Sequence, residues 1–293
     1  LKAGLYYLFN SILETDDFQR VKCFVHTKGV NVNLFNACCK TLLHIAAEKG
    51  YVEAARELLE AGADINMCTI DGRTSLFLAA EYGKDKIVNI LLEKPNIDVN
   101  LYHKGRTPLF VACEKGLLDV VNHLLNRGAS VHSKTKRGNT PLHIASMDGE
   151  LEIAKLLVDK GADVHVNCEN SYKATPLQLA VKGSHLEMAK FLIKKGADIN
   201  ATDPHTHYTI NKGGTLLHWA AREYDPKFRD KMIRFLVENG ADVNAAAYDG
   251  RTPLCLLVKH HGTLDIMRVA VLLKSYLIYG HQKRNNFFCR IDA

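Results

Sequence analysis

Thr140-Pro141-Leu142-His143-Ile144-Ala145 decides the fold, because relatives of this stretch recur along most of the chain. They read TLLHIA from Thr41, TSLFLA from Thr74, TPLFVA from Thr107, TPLQLA from Thr175, TLLHWA from Thr215 and TPLCLL from Thr252. Consecutive threonines stand 33, 33, 33, 35, 40 and 37 residues apart. Local chemistry accounts for the motif. Thr140 is a good helix N-cap, since its hydroxyl can accept from a free first-turn N–H. Pro141 falls at the first helical position, where the missing N–H costs nothing. His143 lies three residues after the cap, where a capping box places Glu or Gln. Later in each copy comes a line such as Gly161-Ala162-Asp163-Val164, and Gly161 suits a left-handed helix stop. Each unit is therefore expected to be a helix, a turn, a second helix and a projecting β-turn finger. One unit cannot bury its apolar face alone, so neighbours must stack.

A period of roughly 33 residues with a T-P-L-H-x-A core resembles the ankyrin-repeat family over nearly the whole chain. The resemblance implies an all-α ankyrin-repeat solenoid of helix-turn-helix units with projecting fingers. Residues 1–40 read as a degenerate first repeat and cap, 41–251 as six repeats, and 252–293 as an atypical last repeat with a tail. Small residues (Ala46-Ala47, Ala79-Ala80) should let neighbouring helices approach, and Leu58-Leu59, Leu91-Leu92, Leu124-Leu125 and Leu156-Leu157 should fill the core. Phe77 and Phe110 replace the motif histidine, so those junctions should exchange a polar link for apolar packing. Trp219 occupies the Ile144 place and is expected to be buried.

The chain has 293 residues, 47% hydrophobic and 24% charged, and a net charge of +6, too diffuse to indicate nucleic acid. Its eight cysteines include no CxxC pair, which fits reduced thiols inside a cell. No apolar run reaches the roughly 18 residues that a membrane span needs. Leu1 in place of Met and the apolar cluster at 5–9 suggest a piece of a longer protein. The helix expected at 265–279 is apolar on nearly every face and needs cover, either from the tail with Phe287-Phe288 or, failing that, from a second subunit or a further domain.

Catalysis is not expected. The motif histidines His44, His143 and His218 each follow a threonine by three residues, and a catalytic constellation would not recur with the repeat. No Gly-rich phosphate loop is present. His205 and His207, with Asp203 and His185, have no cysteine near them and read as a polar loop rather than a zinc site. No cofactor, metal or small-molecule substrate is implied.

The resemblance implies a partner protein on the concave face, built from finger tips and the solvent side of each first helix. Mapped by repeat position, the candidates are Arg73, Tyr82, His103, Lys104, Arg106, Lys115, Lys136, Arg137, Met147, Tyr172, Lys173, Arg222 and Tyr248. Basic residues outnumber acidic ones there, which favours an acidic partner surface. Tyr82, Tyr172, Tyr248 and Met147 are the candidate anchors, because aromatic and Arg side chains dominate binding hot spots. The segment 201–214 exceeds the repeat norm by seven residues and adds His205, His207 and Tyr208 to the candidates. Such arrays occur in scaffolds, in channels and in effectors that intracellular bacteria send into host cells. The expectation is a non-enzymatic scaffold or adaptor in the cytoplasm or nucleus, of a host cell if an effector. Two alternatives stand beside it: the recognition part of a larger enzyme or effector, and a basic face for nucleic acid or anionic lipid.

Overall fold

A computed structural model describes residues 7, 11, 18–168, 174–202, 213–223 and 225–259. The chain divides into two compact units, Leu1–Asp163 and Val164–Ala293.

In the first unit, α1 (Phe18–Val25) precedes four helix pairs: α2 (Leu42–Lys49) with α3 (Val52–Glu60), α4 (Ser75–Glu81) with α5 (Asp85–Glu93), α6 (Pro108–Glu114) with α7 (Leu118–Asn126), and α8 (Pro141–Asp148) with α9 (Leu151–Asp159). First helices stack in a row, α2 on α4 on α6 on α8, and second helices form a parallel row beginning with α1. The second unit holds α10 (Pro176–Lys182), α11 (Leu186–Lys194), α12 (Leu216–Ala220), α13 (Pro226–Glu238) and a helical run at 253–259. The family fold expected from the motif is the fold observed: all-α repeats with no extended sheet among the described residues.

The threonines cap as their position demands. Thr74 Oγ1 accepts from the Phe77 N–H at 3.1 Å, and Thr107 Oγ1 accepts from the Phe110 N–H at 3.2 Å. Ala46, Ala47, Ala79 and Ala80 are fully buried between stacked first helices, where a larger side chain would push the rows apart. Leu58, Leu91, Leu124 and Leu157, one per repeat, close the core between the two rows with Leu92 and Leu125, whereas Leu59 and Leu156 are only half-buried, which corrects the expectation for those two.

The fingers are joined by backbone contacts and an asparagine ladder. Asn33, Asn66 and Asn100 each accept, through Oδ1, the N–H of Asp64, Asp98 and Ser130 in the following repeat, at 2.8, 2.9 and 2.8 Å. Asn200 repeats the link to the Asp242 N–H at 2.9 Å in the second unit. The Ile70 N–H donates to the Cys38 carbonyl at 2.8 Å. Gly105 marks a close approach: its φ is +79°, and a Cβ there would fall 2.9 Å from the Lys136 backbone nitrogen.

The first repeat-like helix is attached by buried Val21 and Val25 and by charge. Glu57, buried on α3, accepts from Lys22 Nζ at 3.1 Å and His26 Nε2 at 2.8 Å. The His26 bond holds the Glu57 carboxyl below its ordinary range, against burial and with help from Lys22.

Candidate interaction surface

The motif histidines are absorbed by the scaffold. His44 Nδ1 accepts from the Thr41 N–H at 3.1 Å, which leaves the ring proton on Nε2 to donate to the Arg73 carbonyl at 3.1 Å. His218 does the same between the Thr215 N–H (3.0 Å) and the Arg251 carbonyl (3.0 Å). Burial lowers both rings, His44 to about 4, although the bonds they make to those carbonyls oppose it. A ring so held is a neutral fastener between a helix start and the next finger. His143 makes the same capping bond, from the Thr140 N–H at 3.1 Å.

Other residues reproduce the link. Gln178 Oε1 accepts from the Thr175 N–H at 2.8 Å, and its Nε2 donates to the Ala201 carbonyl at 3.3 Å. Beside Phe77 a different polar link forms, between two fingers. The His103 ring sits edge-on to Phe77, 5.5 Å between centroids, and its Nδ1 bonds the Asp71 carbonyl. His103 is therefore only 5% exposed, which corrects the expectation of a finger-tip contact: it is a packing residue. Trp219 also departs from expectation. It is half-buried, because its place on the short α12 leaves one part of the indole open beside Lys182.

The residue just before each of the first three capping threonines pairs with the residue eight further on, at the end of the first helix. Arg73 meets Glu81 at 3.3 Å and Arg106 meets Glu114 at 2.7 Å; Lys40 meets Glu48 likewise. Arg73 also holds Asp71 at 2.9 Å. Burial would raise the Asp71 carboxyl, but hydrogen bonds from Thr69 and Arg73 outweigh it and bring it to about 2. The basic excess counted from sequence is thus partly neutralised at Arg73 and Arg106.

Lys104, Lys115, Lys136 and Arg137 are exposed, as are Tyr82 (47%) and Met147 (45%). All of these belong to the first unit, while exposed Tyr248 (66%) and half-exposed Arg222 belong to the second. Tyr172, Lys173, His205, His207, Tyr208 and the apolar segment 265–279 lie outside the described residues. Sequence reasoning passed over Tyr102 (70% exposed) and the exposed Ile70 on adjacent fingers. Ile70 stands four before Thr74, in the same register as Lys136 before Thr140, so its position was a usable signal that its apolar nature masked.

Among the described residues no group of three or more His, Cys, Asp or Glu is arranged to hold a metal, and no helix is long and apolar enough to cross a membrane. A cleft of about 180 Å³ beside Val164, His165 and Asp198 falls below the size usual for small-molecule sites.

Family models described as "Ankyrin repeats (3 copies)" match residues 8–103, 43–135 and 109–203. Models described as "Ankyrin repeats (many copies)" and "Ankyrin repeat" match 180–227 and 212–248. No curated protein matches the chain. A solved structure, the crystal structure of the human ASB11 ankyrin repeat domain, is 27% identical with a TM-score of 0.63, over 79% of this chain and 97% of that one. With the motif at every expected helix start and family matches running from residue 8 to 248, the chain belongs to the ankyrin-repeat family.

Proposed function

We propose that the chain is a non-enzymatic protein-interaction module of the scaffold or adaptor type, which takes a partner protein on its fingers and on the solvent side of its first helices. Ankyrin repeats are generally protein-interaction modules, and one observation carries the reading further here. The capping threonines and the motif histidines His44 and His218 bond within the scaffold, while large side chains at the finger and first-helix positions stay exposed: Tyr82, Tyr102, Met147 and Tyr248. Such side chains gain most from a partner that removes them from water. The histidines that would serve an acid or base are engaged as backbone fasteners, which favours binding over catalysis. Exposed free Cys23, Cys38 and Cys68 suit a reducing compartment, hence the cytoplasm or nucleus.

The test is affinity capture from a native lysate with wild type and with a variant carrying Tyr82→Ala, Tyr102→Ala, Met147→Ala and Tyr248→Ala. Circular dichroism melting establishes that the variant is folded. A protein held by wild type and lost by the folded variant supports the reading. Equal capture by both overturns it.

A further inference from the structure

The residue seven places after each capping threonine stands at the C-terminal end of the first helix or, for Arg222, two residues beyond it. Along the chain this position reads Glu48, Glu81, Glu114, Met147, Lys182, Arg222 and Lys259. Its charge reverses at the boundary between the two compact units. In the first unit the three carboxylates are held by Lys40, Arg73 and Arg106. In the second the position is cationic in three consecutive repeats, with Lys182 and Lys259 exposed and Arg222 half-exposed.

Aromatic surface accompanies this row. Lys182 Nζ lies 5.7 Å from the centroid of the half-exposed Trp219 ring. The Trp219 Nε1–H is buried without a hydrogen-bond partner among the described residues. Exposed Tyr248 packs over Gly213, where a Cβ would fall 2.5 Å from the phenol ring, so Gly213 is the floor on which that ring rests. Glu223 accepts from Ser184 Oγ at 2.8 Å and from the Asp225 N–H at 3.2 Å, and Asp249 accepts from Arg251 Nε at 2.7 Å.

We propose that Lys182, Arg222 and Lys259, with Trp219 and Tyr248, form the docking row for an extended acidic segment of a partner protein with apolar side chains between its carboxylates. This rests on the protein-binding reading above and assigns its acidic partner to the second unit. Charge complementarity selects the acid. Glu223, next to Arg222 in the chain, opposes an unbroken run of negative charge, and this favours a peptide, which can place an apolar group there, over a phosphate polymer. Helices packed roughly 8–10 Å apart set the spacing of successive cations. That distance corresponds to about three residues of extended chain. The segment therefore carries Asp or Glu at every third residue.

The probe is a phage-displayed library of random peptides selected on the full chain, followed by fluorescence anisotropy with the enriched peptides. Enriched peptides carry acids at three-residue spacing. Their affinity falls at least about tenfold (roughly 1.4 kcal/mol) for the variant Lys182→Glu, Arg222→Glu, Lys259→Glu. It stays near wild type for Lys104→Glu, Lys115→Glu, Lys136→Glu, and Lys182→Arg with Lys259→Arg retains it. Thermal melts establish that each variant is folded. Enrichment without acids, equal affinity for both reversal variants, or tighter binding of a single-stranded oligonucleotide or a phosphatidylserine vesicle overturns the docking row. Peptides lost only in the first-unit variant overturn the row while leaving the protein-binding reading standing. No enrichment on wild type counts against both.

Discussion

His44 Nε2 donates a 3.1 Å hydrogen bond to the backbone carbonyl of Arg73, one repeat further along, while its Nδ1 accepts from the Thr41 N–H at 3.1 Å. One fully buried ring thus satisfies a helix start and a finger carbonyl together. His44→Ala leaves both groups without this partner and lowers stability by about 2 kcal/mol. His44→Gln keeps most of that stability, because Gln178 already spans the same two kinds of group in the second unit. Urea midpoints of the two variants separate the cases, and equal losses would refute the bridging account.

The buried histidines set a pH dependence. His44 binds its proton at about 4 in the folded chain and at about 6.5 when unfolded. The unfolded chain therefore takes up protons first, and protonation favours unfolding. Stability from this site is complete above about pH 6.5 and is lost as pH falls toward 4, on the order of 3 kcal/mol. His218, lowered by burial, adds in the same direction. Melting temperatures measured from pH 7.5 to 4.5 should fall for wild type and flatten for His44→Gln.

Glu57 is the anchor of α1. Glu57→Ala leaves Lys22 and His26 without their carboxylate. Both partners are about half exposed, so water screens the pair and the direct loss is about 1 kcal/mol or less. The sensitive readout is local: hydrogen exchange of residues 18–25 should quicken with little change in 75–93. Because the folded Glu57 carboxyl titrates below its ordinary value, its contribution is present above pH 4.5 and is lost as pH falls further. Unchanged exchange in α1 would show that apolar packing alone holds it.

Finger contact can be isolated from backbone strain with two glycines. Gly105 and Gly128 have φ of +79° and +82°, but only Gly105 would bring a Cβ against a backbone atom, 2.9 Å from Lys136 N. Gly128→Ala should cost about 1 kcal/mol from its left-handed backbone alone. Gly105→Ala should cost clearly more, since the neighbouring finger must also shift. Equal chemical-denaturation midpoints would mean that the fingers yield freely.

The threonine motif made helix starts, finger positions and the stacking of repeats legible, because capping and periodicity are local and recur. It also gave the roles of His44 and His218, whose partners are the capping threonine three residues before the ring and the residue just before the next capping threonine. The candidate surface was legible as a set of positions but not as a charge pattern. Arg73 and Arg106 counted as free cations until Glu81 and Glu114 were seen to close on them across the turn between finger and helix.

Sequence alone determined the ankyrin-repeat architecture, since each motif carries its own cap, its own apolar face and its own demand for a neighbour. Only the tertiary structure decided that His103 turns inward against Phe77 and the Asp71 carbonyl, that Trp219 stays partly open, and that Tyr102 and Ile70 project from their fingers. These outcomes depend on what the adjacent repeat presents to each side chain, and repeat register alone does not encode that contact.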